Sequence, residues 1–376
     1  MISQTYVDVH VLQTVPPSNL NRDDAGSPKQ AVYGGVRRAR VSSQAWKRAT
    51  RKAFEARVPK QELATRTKRI STLLAQRVVA RTGLDGEAAA RISTALLAPL
   101  EIKPGKKATD TAYLLFFGRP QVDRLVDLVA DRATELAALG EKALVDALKD
   151  LPVKEQLRSG HPIDVALFGR MVADIPGLNV DAATQVAHAL STHAVETEFD
   201  YYTAVDDENV EDSGAGMIGT VEFNSSTLYR FATVSVHQLM ENLGDDVQAA
   251  TAALEVFLHA FVTSMPTGHQ NSFAHRTLPD LVTVVIREDQ PVNLVSAYEK
   301  PVAPREGLVG ESVQRLIEEL ARAAELWGCT PVAVHSSYSQ AKSEDELAVL
   351  GPALPFVDVL AGVTGAVRER LAATGS

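Results

Sequence analysis

Thr5-Tyr6-Val7-Asp8-Val9-His10-Val11-Leu12 places Thr5, Val7, Val9 and Val11 at every second position, the period-2 pattern of a β-strand with one buried face. A chain that opens on such a strand and continues through long helical stretches is expected to be α+β, with helices packed on a sheet. After the strand, Pro16-Pro17-Ser18-Asn19 and Asn21-Arg22-Asp23-Asp24 read as a long polar loop, and Gly34-Gly35 as a turn. Ser42 or Ser43 then offers an N-cap for a helix running from Gln44 to Phe54. Helical spacing predicts that Trp46, Ala49, Ala53 and Phe54 face inward and that Gln44, Lys47 and Arg51 face outward.

Residues 59–161 are rich in Ala, Leu and Arg and read as almost wholly helical, with helices over 67–82, 87–100 and 121–148 and a linker at Lys103-Pro104-Gly105-Lys106-Lys107. Ile163 to Phe168 reads as a second strand and Asp181 to Ala194 as a helix. An acidic stretch from Glu196 to Asp212 carries Phe199, Tyr201 and Tyr202, and leads through Gly214, Gly216 and Gly219 into a strand-like segment over 222–236, together a projecting hairpin. A helix over 245–264, a strand over 281–287, a helix over 311–327 and a short strand over 331–335 complete the expected pattern.

The 376 residues, 45% hydrophobic and 23% charged, suffice for a sizeable core. Cys329 is the only cysteine, so neither an intramolecular disulfide nor a Cys-x-x-Cys metal site is available, and a reducing cytosol is expected. The first fifteen residues lack the pattern of a secretory signal, and no apolar run approaches the roughly 18 residues of a membrane span, so a soluble intracellular protein is expected.

A net charge of -9 argues against a molecule that coats nucleic acid over its whole surface. The stretch from Lys29 to Lys52 runs against that sign. It holds Lys29, Arg37, Arg38, Arg40, Lys47, Arg48, Arg51 and Lys52, and no Asp or Glu. Ser42, Gln44, Lys47 and Arg51 combine hydroxyl, amide and cationic donors near a helix N-terminus, the mixture used for phosphate and sugar contacts; a solvated helix surface has the same composition.

The sequence holds no phosphate loop, no Gly-x-Ser-x-Gly elbow and no His-Glu-x-x-His helix, and neither a catalytic residue nor a metal or other cofactor is expected. His188 and His193, five apart on the expected helix, diverge by about 140 degrees and do not chelate jointly. Asp23 and Asp24 could hold Mg²⁺ at a phosphodiester, although adjacent aspartates in such a loop more often serve the turn.

Several blocks in register resemble one family. They are Asn19 to Asp24, Gly34 to Gln44, Asp164-Val165-Ala166-Leu167-Phe168-Gly169-Arg170-Met171, Tyr202 to Asp207, His237-Gln238-Leu239 with Asn242-Leu243-Gly244, and Ala297-Tyr298-Glu299-Lys300. The chain resembles the CasC backbone family of the type I-E CRISPR Cascade complex. The resemblance implies a palm like an RNA-recognition motif (ferredoxin-like) over 1–58, 162–195 and 227–376, a helical fingers insertion over 59–161 and a β-hairpin thumb over 196–226.

It also implies a non-catalytic protein of antiviral defence that polymerises head to tail along a CRISPR RNA, as a hexamer. Arg22, Arg37, Arg38, Arg40, Ser42, Gln44, Lys47 and Arg51 would grip the guide, Arg170 and Met171 would sit at a kinked base, and Tyr201 and Tyr202 would pry it out. Lys103, Lys106, Lys107, Lys142 and Lys149 would meet target DNA paired to the guide. The implied partners are the large, small, 5′-end-capping and RNA-processing Cascade subunits and, indirectly, a helicase-nuclease, with no membrane. The resemblance leaves a different reading open, in which the loop carboxylates of Asp23 or Asp24 cut target RNA. A generic single-stranded RNA-binding module is a third.

Overall fold

The computed structural model describes residues 4–102, 110–112, 114–172, 175–205, 215–303, 306–339 and 348–374. Mixed α+β architecture is built from two compact units. One comprises residues 1–54, 185–235 and 254–376, the other 55–184 and 236–253.

The first unit holds an antiparallel sheet with spatial order β11-β10-β1-β9-β7-β3-β2. These strands are β1 (Tyr6–Ser18), β2 (Gln30–Tyr33), β3 (Val36–Val41), β7 (Ala189–Ser191), β9 (Ala215–Ser235), β10 (Leu281–Arg287) and β11 (Ala333–Tyr338). The opening strand is therefore central, paired in register with β9 (Val9 opposite Ala232) and β10 (Val9 opposite Val284). It runs six residues past Leu12, through Pro16 and Pro17, with an irregularity between Val15 and Ser18 where the prolines interrupt the ladder. Both of its faces are buried, which corrects the expectation of one wet face. Leu12, Tyr229, Phe231, Leu281 and Val285 pack with Leu316, Ile317 and Leu320 of the helix Val309–Trp327.

That buried face carries charge. Asp8 Oδ2 accepts hydrogen bonds from Arg287 Nε at 3.0 Å and from the Val292 N–H at 2.9 Å, and Arg287 donates from Nη1 to the Cys329 carbonyl at 2.7 Å. Burial pushes Asp8 up to about 6, opposed by the Val292 N–H and by Arg287. His10 Nδ1 lies 2.9 Å from the Tyr229 hydroxyl oxygen, which also accepts the Leu294 N–H. Burial, reinforced by the Arg287 charge, pushes His10 down to about 3.

The signs are opposite. The His10 contribution to stability is complete above pH 6.5 and is lost as pH falls toward 3, whereas that of Asp8 is complete below the ordinary carboxylate range and is lost as pH rises through 6. Replacing His10→Gln leaves only the second. Between pH 7 and pH 4 the native protein should lose about 3 kcal/mol of unfolding free energy relative to that variant. Parallel urea-denaturation profiles across that range would contradict the assignment.

In the second unit, Ile70, Leu74 and Val78 pack with Ile92 and Leu96 of a neighbouring helix and with Val122, Leu125 and Val129 of a third. The stretch expected to be almost wholly helical is broken by a two-stranded ladder, β4 (Ala64–Thr67) with β5 (Leu115–Gly118). The expected helix over 121–148 is three helices, Arg119–Ala130, Ala133–Ala137 and Glu141–Leu148. Ile163–Phe168 is helical rather than extended, begun by the backbone of Pro162 and ended at Gly169, whose φ of +72° suits glycine.

The expected helix over 181–194 is instead the short strands β6 (Thr184–Val186) and β7. Ladder pairing with β9 and β3 there overrides a mixed local preference. A terminal helix, Phe356–Thr374, completes the first unit; the sequence reading ended the pattern before it. His335 of β11 packs so close to Gly362 of that helix that a β-carbon there would lie 2.7 Å from the imidazole.

Candidate nucleic-acid interface

The helix Ser43–Ala53 is positioned by a small core of Val15, Leu20, Ala39, Val41, Trp46, Ala189, Leu228 and Met265. Ser42 caps it, its Oγ accepting from the Ala45 N–H at 3.4 Å, while the Ser42 N–H donates to Asn21 Oδ1 at 2.9 Å. The preceding loop is built rather than loose. Asn19 donates to the Gly26 and Glu222 carbonyls, and Asp23 Oδ1 accepts from the Ala25 and Ser27 N–H groups.

The buried face of this helix is Trp46 and Thr50, followed by Phe54. Gln44, Arg48 and Lys52 are exposed, at i, i+4 and i+8, while Lys47 and Arg51 are half-buried. Ala49 and Ala53, expected in the core, are half-exposed and line open space beside this face. The rotation follows from Trp46, whose indole lies under the buried Arg230 guanidinium at 3.8 Å.

Gln44, Arg48, Ala49 and Lys52 form one wall of an open cleft of about 610 Å³. Arg22, Lys29 and the segment Met265-Pro266-Thr267-Gly268-His269 form the others, and among the described residues no Asp or Glu lines it. Arg22 Nη1 donates to His269 Nε2 at 3.1 Å. Gly268 packs so tightly on the loop that a β-carbon would sit 2.4 Å from the Leu20 carbonyl oxygen and 2.5 Å from that of Asn19, so only glycine lets the two walls meet. Lys29, Arg48, Lys52 and His269 were not among the expected site residues; the i, i+4, i+8 spacing of Gln44, Arg48 and Lys52 was the available signal.

Two of the expected contact residues are spent on the interior. Arg38 is fully buried and donates to the carbonyls of Tyr33, Ser191, Tyr298 and Glu299. Arg170 is buried too, donating to the Leu178 and Leu157 carbonyls over the Phe117 ring, and burial pushes it down to about 10. The reason is common to both: a guanidinium with several donors satisfies a cluster of carbonyls that turns leave without partners.

Arg37 is exposed, and Arg40 is half-buried, donating to the Gln30 carbonyl and to His188 Nδ1. His188 and His193 do not share a helix, since they flank β7, and His193 Nε2 accepts from the Thr227 N–H. Among the described residues no group of three His, Cys, Asp or Glu side chains converges on a metal position.

Met171, beside the buried Arg170, is 83% exposed. β8 (Glu198–Val205) pairs with the first part of β9 as a long ribbon, with Tyr201 opposite Thr220 and Tyr202 opposite Gly219. Adjacent positions alternate, so the two tyrosines lie on opposite faces of the ribbon. Tyr201 shares its face with Phe199 and Ile218, all exposed, and the Tyr202 ring lies over Gly219. Lys142 and Lys149 are exposed at the helix Glu141–Leu148; Lys103, Lys106 and Lys107 lie outside the described residues. No described helix is long and apolar enough to cross a membrane.

No curated protein matches the sequence. Solved structures do, among them the following two. A chain of a "CRISPR RNA-guided surveillance complex, pre-nicking" superimposes with a TM-score of 0.82 at 33% identity, covering 96% of this chain and 100% of its own. A chain of a "CRISPR RNA-guided surveillance complex" gives a TM-score of 0.74 at 30% identity, covering 96% of this chain and 99% of its own. The family model for CT1975-like protein, a Cas family, matches residues 7–353. With the family model spanning nearly the whole chain and both structures agreeing with its fold, the chain belongs to the CT1975-like Cas protein family.

Proposed function

We propose that this chain is the CRISPR RNA-binding backbone subunit of a type I-E Cascade complex, acting in the cytoplasm in antiviral defence. The observation that carries the reading is the acid-free cleft of Arg22, Lys29, Arg48, Lys52 and Gln44 on a protein of net charge -9. Such a cleft concentrates cationic and amide donors along one path, where a phosphodiester strand gains attraction that the rest of the surface denies it. Lys47 and Arg51 extend that path along the helix. Contacts to phosphate and sugar are sequence-independent, so target choice is left to pairing between guide and DNA.

In this reading residues 1–58, 162–195 and 227–376 are the palm, 59–161 the fingers and 196–226, which hold most of the β8–β9 ribbon, the thumb. Tyr202 of the ribbon and Met171 act at a displaced base, and copies of the chain stack head to tail along the guide as a hexamer. Lys142 and Lys149 face target DNA. The other Cascade subunits complete the particle, and cutting falls to a recruited helicase-nuclease. The chain itself performs no chemistry and needs no cofactor. Asp23 supports that view, since its Oδ1 is engaged by two loop N–H groups rather than held open for a metal.

Purifying the assembled particle from a host that expresses its CRISPR array, then sequencing the bound nucleic acid, tests the reading. A uniform RNA with repeat-derived ends is expected. A particle free of ribonucleotide, or regular Asp24-dependent cuts in complementary RNA with Mg²⁺, would overturn it.

A further inference from the structure

The cleft wall that carries Met265 to His269 opens a longer segment, residues 265–277, which leaves the helix Val247–Thr263 and returns to β1, where Thr277 Oγ1 donates to the Thr14 carbonyl at 2.7 Å. The segment has a costly shape. His269 and Ala274 have φ of 49° and 45°, a region unfavourable for residues with a β-carbon, and Gly268 meets the Asn19 and Leu20 carbonyls with no room for one. Inside the segment, His275 Nε2 donates to the Pro266 carbonyl at 3.1 Å. A strained backbone of this kind persists only where the surrounding structure holds it.

A side chain from outside the segment reaches both of its ends. Gln13 of β1, fully buried, donates from Nε2 to the Thr277 carbonyl at 2.8 Å and to Met265 Sδ at 3.3 Å. Its Oε1 accepts from Arg230 Nη1 at 2.6 Å, and the Arg230 guanidinium lies over Trp46 of the helix that forms the opposite wall. These partners fix which way round the amide sits. A guanidinium only donates and a backbone carbonyl only accepts, so the oxygen faces Arg230 and the nitrogen faces Thr277. Glutamate would keep the first bond and set a second oxygen against the Thr277 carbonyl, whereas methionine would keep the volume and neither bond.

We infer that Gln13 is a positioning residue of the cleft, tying the 265–269 wall to the wall of the basic helix so that one strand meets both. Gln13 itself touches no ligand. It acts through Met265 and Thr277 on one side and through Arg230 and Trp46 on the other. The assignment rests on the RNA-binding reading above, and it adds to that reading the device that sets the spacing of the walls. With the segment released, only the fraction of molecules whose wall is in place binds, and apparent affinity falls by that fraction.

The full chain, Gln13→Glu, Gln13→Met and Ser312→Ala are compared for affinity to a single-stranded RNA and for backbone hydrogen exchange without RNA. Ser312→Ala removes a buried hydroxyl that donates to Thr192 Oγ1 at 2.9 Å, on a helix that lines neither wall, and so reports general destabilisation. Gln13→Glu should bind about fivefold more weakly than the native protein and exchange faster only over 267–277, because its bond to Arg230 survives. Gln13→Met should lose about tenfold and loosen Ser43–Ala53 as well, while Ser312→Ala should stay within about twofold of native. If Gln13→Glu does not fold, Gln13→Met, uncharged and of similar volume, decides the matter by the same two readouts. Native binding that neither Gln13 variant diminishes overturns the role of Gln13 and leaves the cleft intact. So does faster exchange throughout the sheet unit with a loss of affinity equal to that of Ser312→Ala. A native protein that binds no RNA overturns the cleft and the role of Gln13 together.

Discussion

Arg48→Ala with Lys52→Ala is expected to weaken guide RNA binding by about 10- to 100-fold near physiological salt, equally for every sequence tried. Both side chains are exposed on the cleft wall, which no carboxylate of the described residues lines, so their removal takes cations away from the phosphate path without breaking an ion pair to a described residue of the cleft. The plot of log affinity against log salt should flatten by about 0.7 for each phosphate that is no longer neutralised. Lys47→Ala with Arg51→Ala is the informative companion. These half-buried residues flank the exposed line, and a smaller or larger effect tells which side of the helix the strand follows. A defect confined to particular sequences, or an unchanged salt slope, would remove the cleft from consideration as the phosphate track.

Arg230→Ala should cost about 3–5 kcal/mol of stability and lower RNA affinity along with it. Arg230 is buried on β9, where Nη1 donates to Gln13 Oε1 at 2.6 Å, Nη2 donates to the Phe261 carbonyl, and the guanidinium lies over Trp46 at 3.8 Å and Phe261 at 4.7 Å. Burial alone pushes its pKa down to about 9, so the group sits in an apolar setting that its hydrogen bonds must offset. Truncation takes the donor from three acceptors, Gln13 Oε1 and the Phe261 and Val262 carbonyls, and leaves a void above Trp46, the residue that sets the rotation of the basic helix. Arg230→Met restores most of the volume but none of the bonds, and should recover only part of the stability. Chemical denaturation of all three proteins reads the difference; an Arg230→Ala variant as stable as the native chain would show that the guanidinium does not hold the helix.

Much of the fold was legible because local signals agreed with the final pairing. The 281–287 strand and the 311–327 helix lie close to where their periodicity placed them, at Leu281–Arg287 and Val309–Trp327. Where the reading failed, a long-range partner outweighed a local preference. Residues 181–194 look helical by spacing, but their hydrogen bonds go to β9 and β3, many residues away. The strand read at 163–168 is a helix, because a six-residue apolar run does not distinguish a buried strand from a buried helix.

The candidate site divides along the same line. The concentration of cations between Lys29 and Lys52, the absence of acids among them and the capping serine ahead of the helix are properties of the chain alone, since charge and N-cap chemistry act over a few residues. Which cations reach the cleft is not local. Arg38 and Arg170 look like surface donors until unpaired carbonyls from distant turns claim them. Arg48 and Lys52 become the exposed pair because Trp46 is drawn beneath Arg230, a residue 184 positions later. Burial and hydrogen-bond competition depend on neighbours brought together from across the sequence, and only the folded chain decides them.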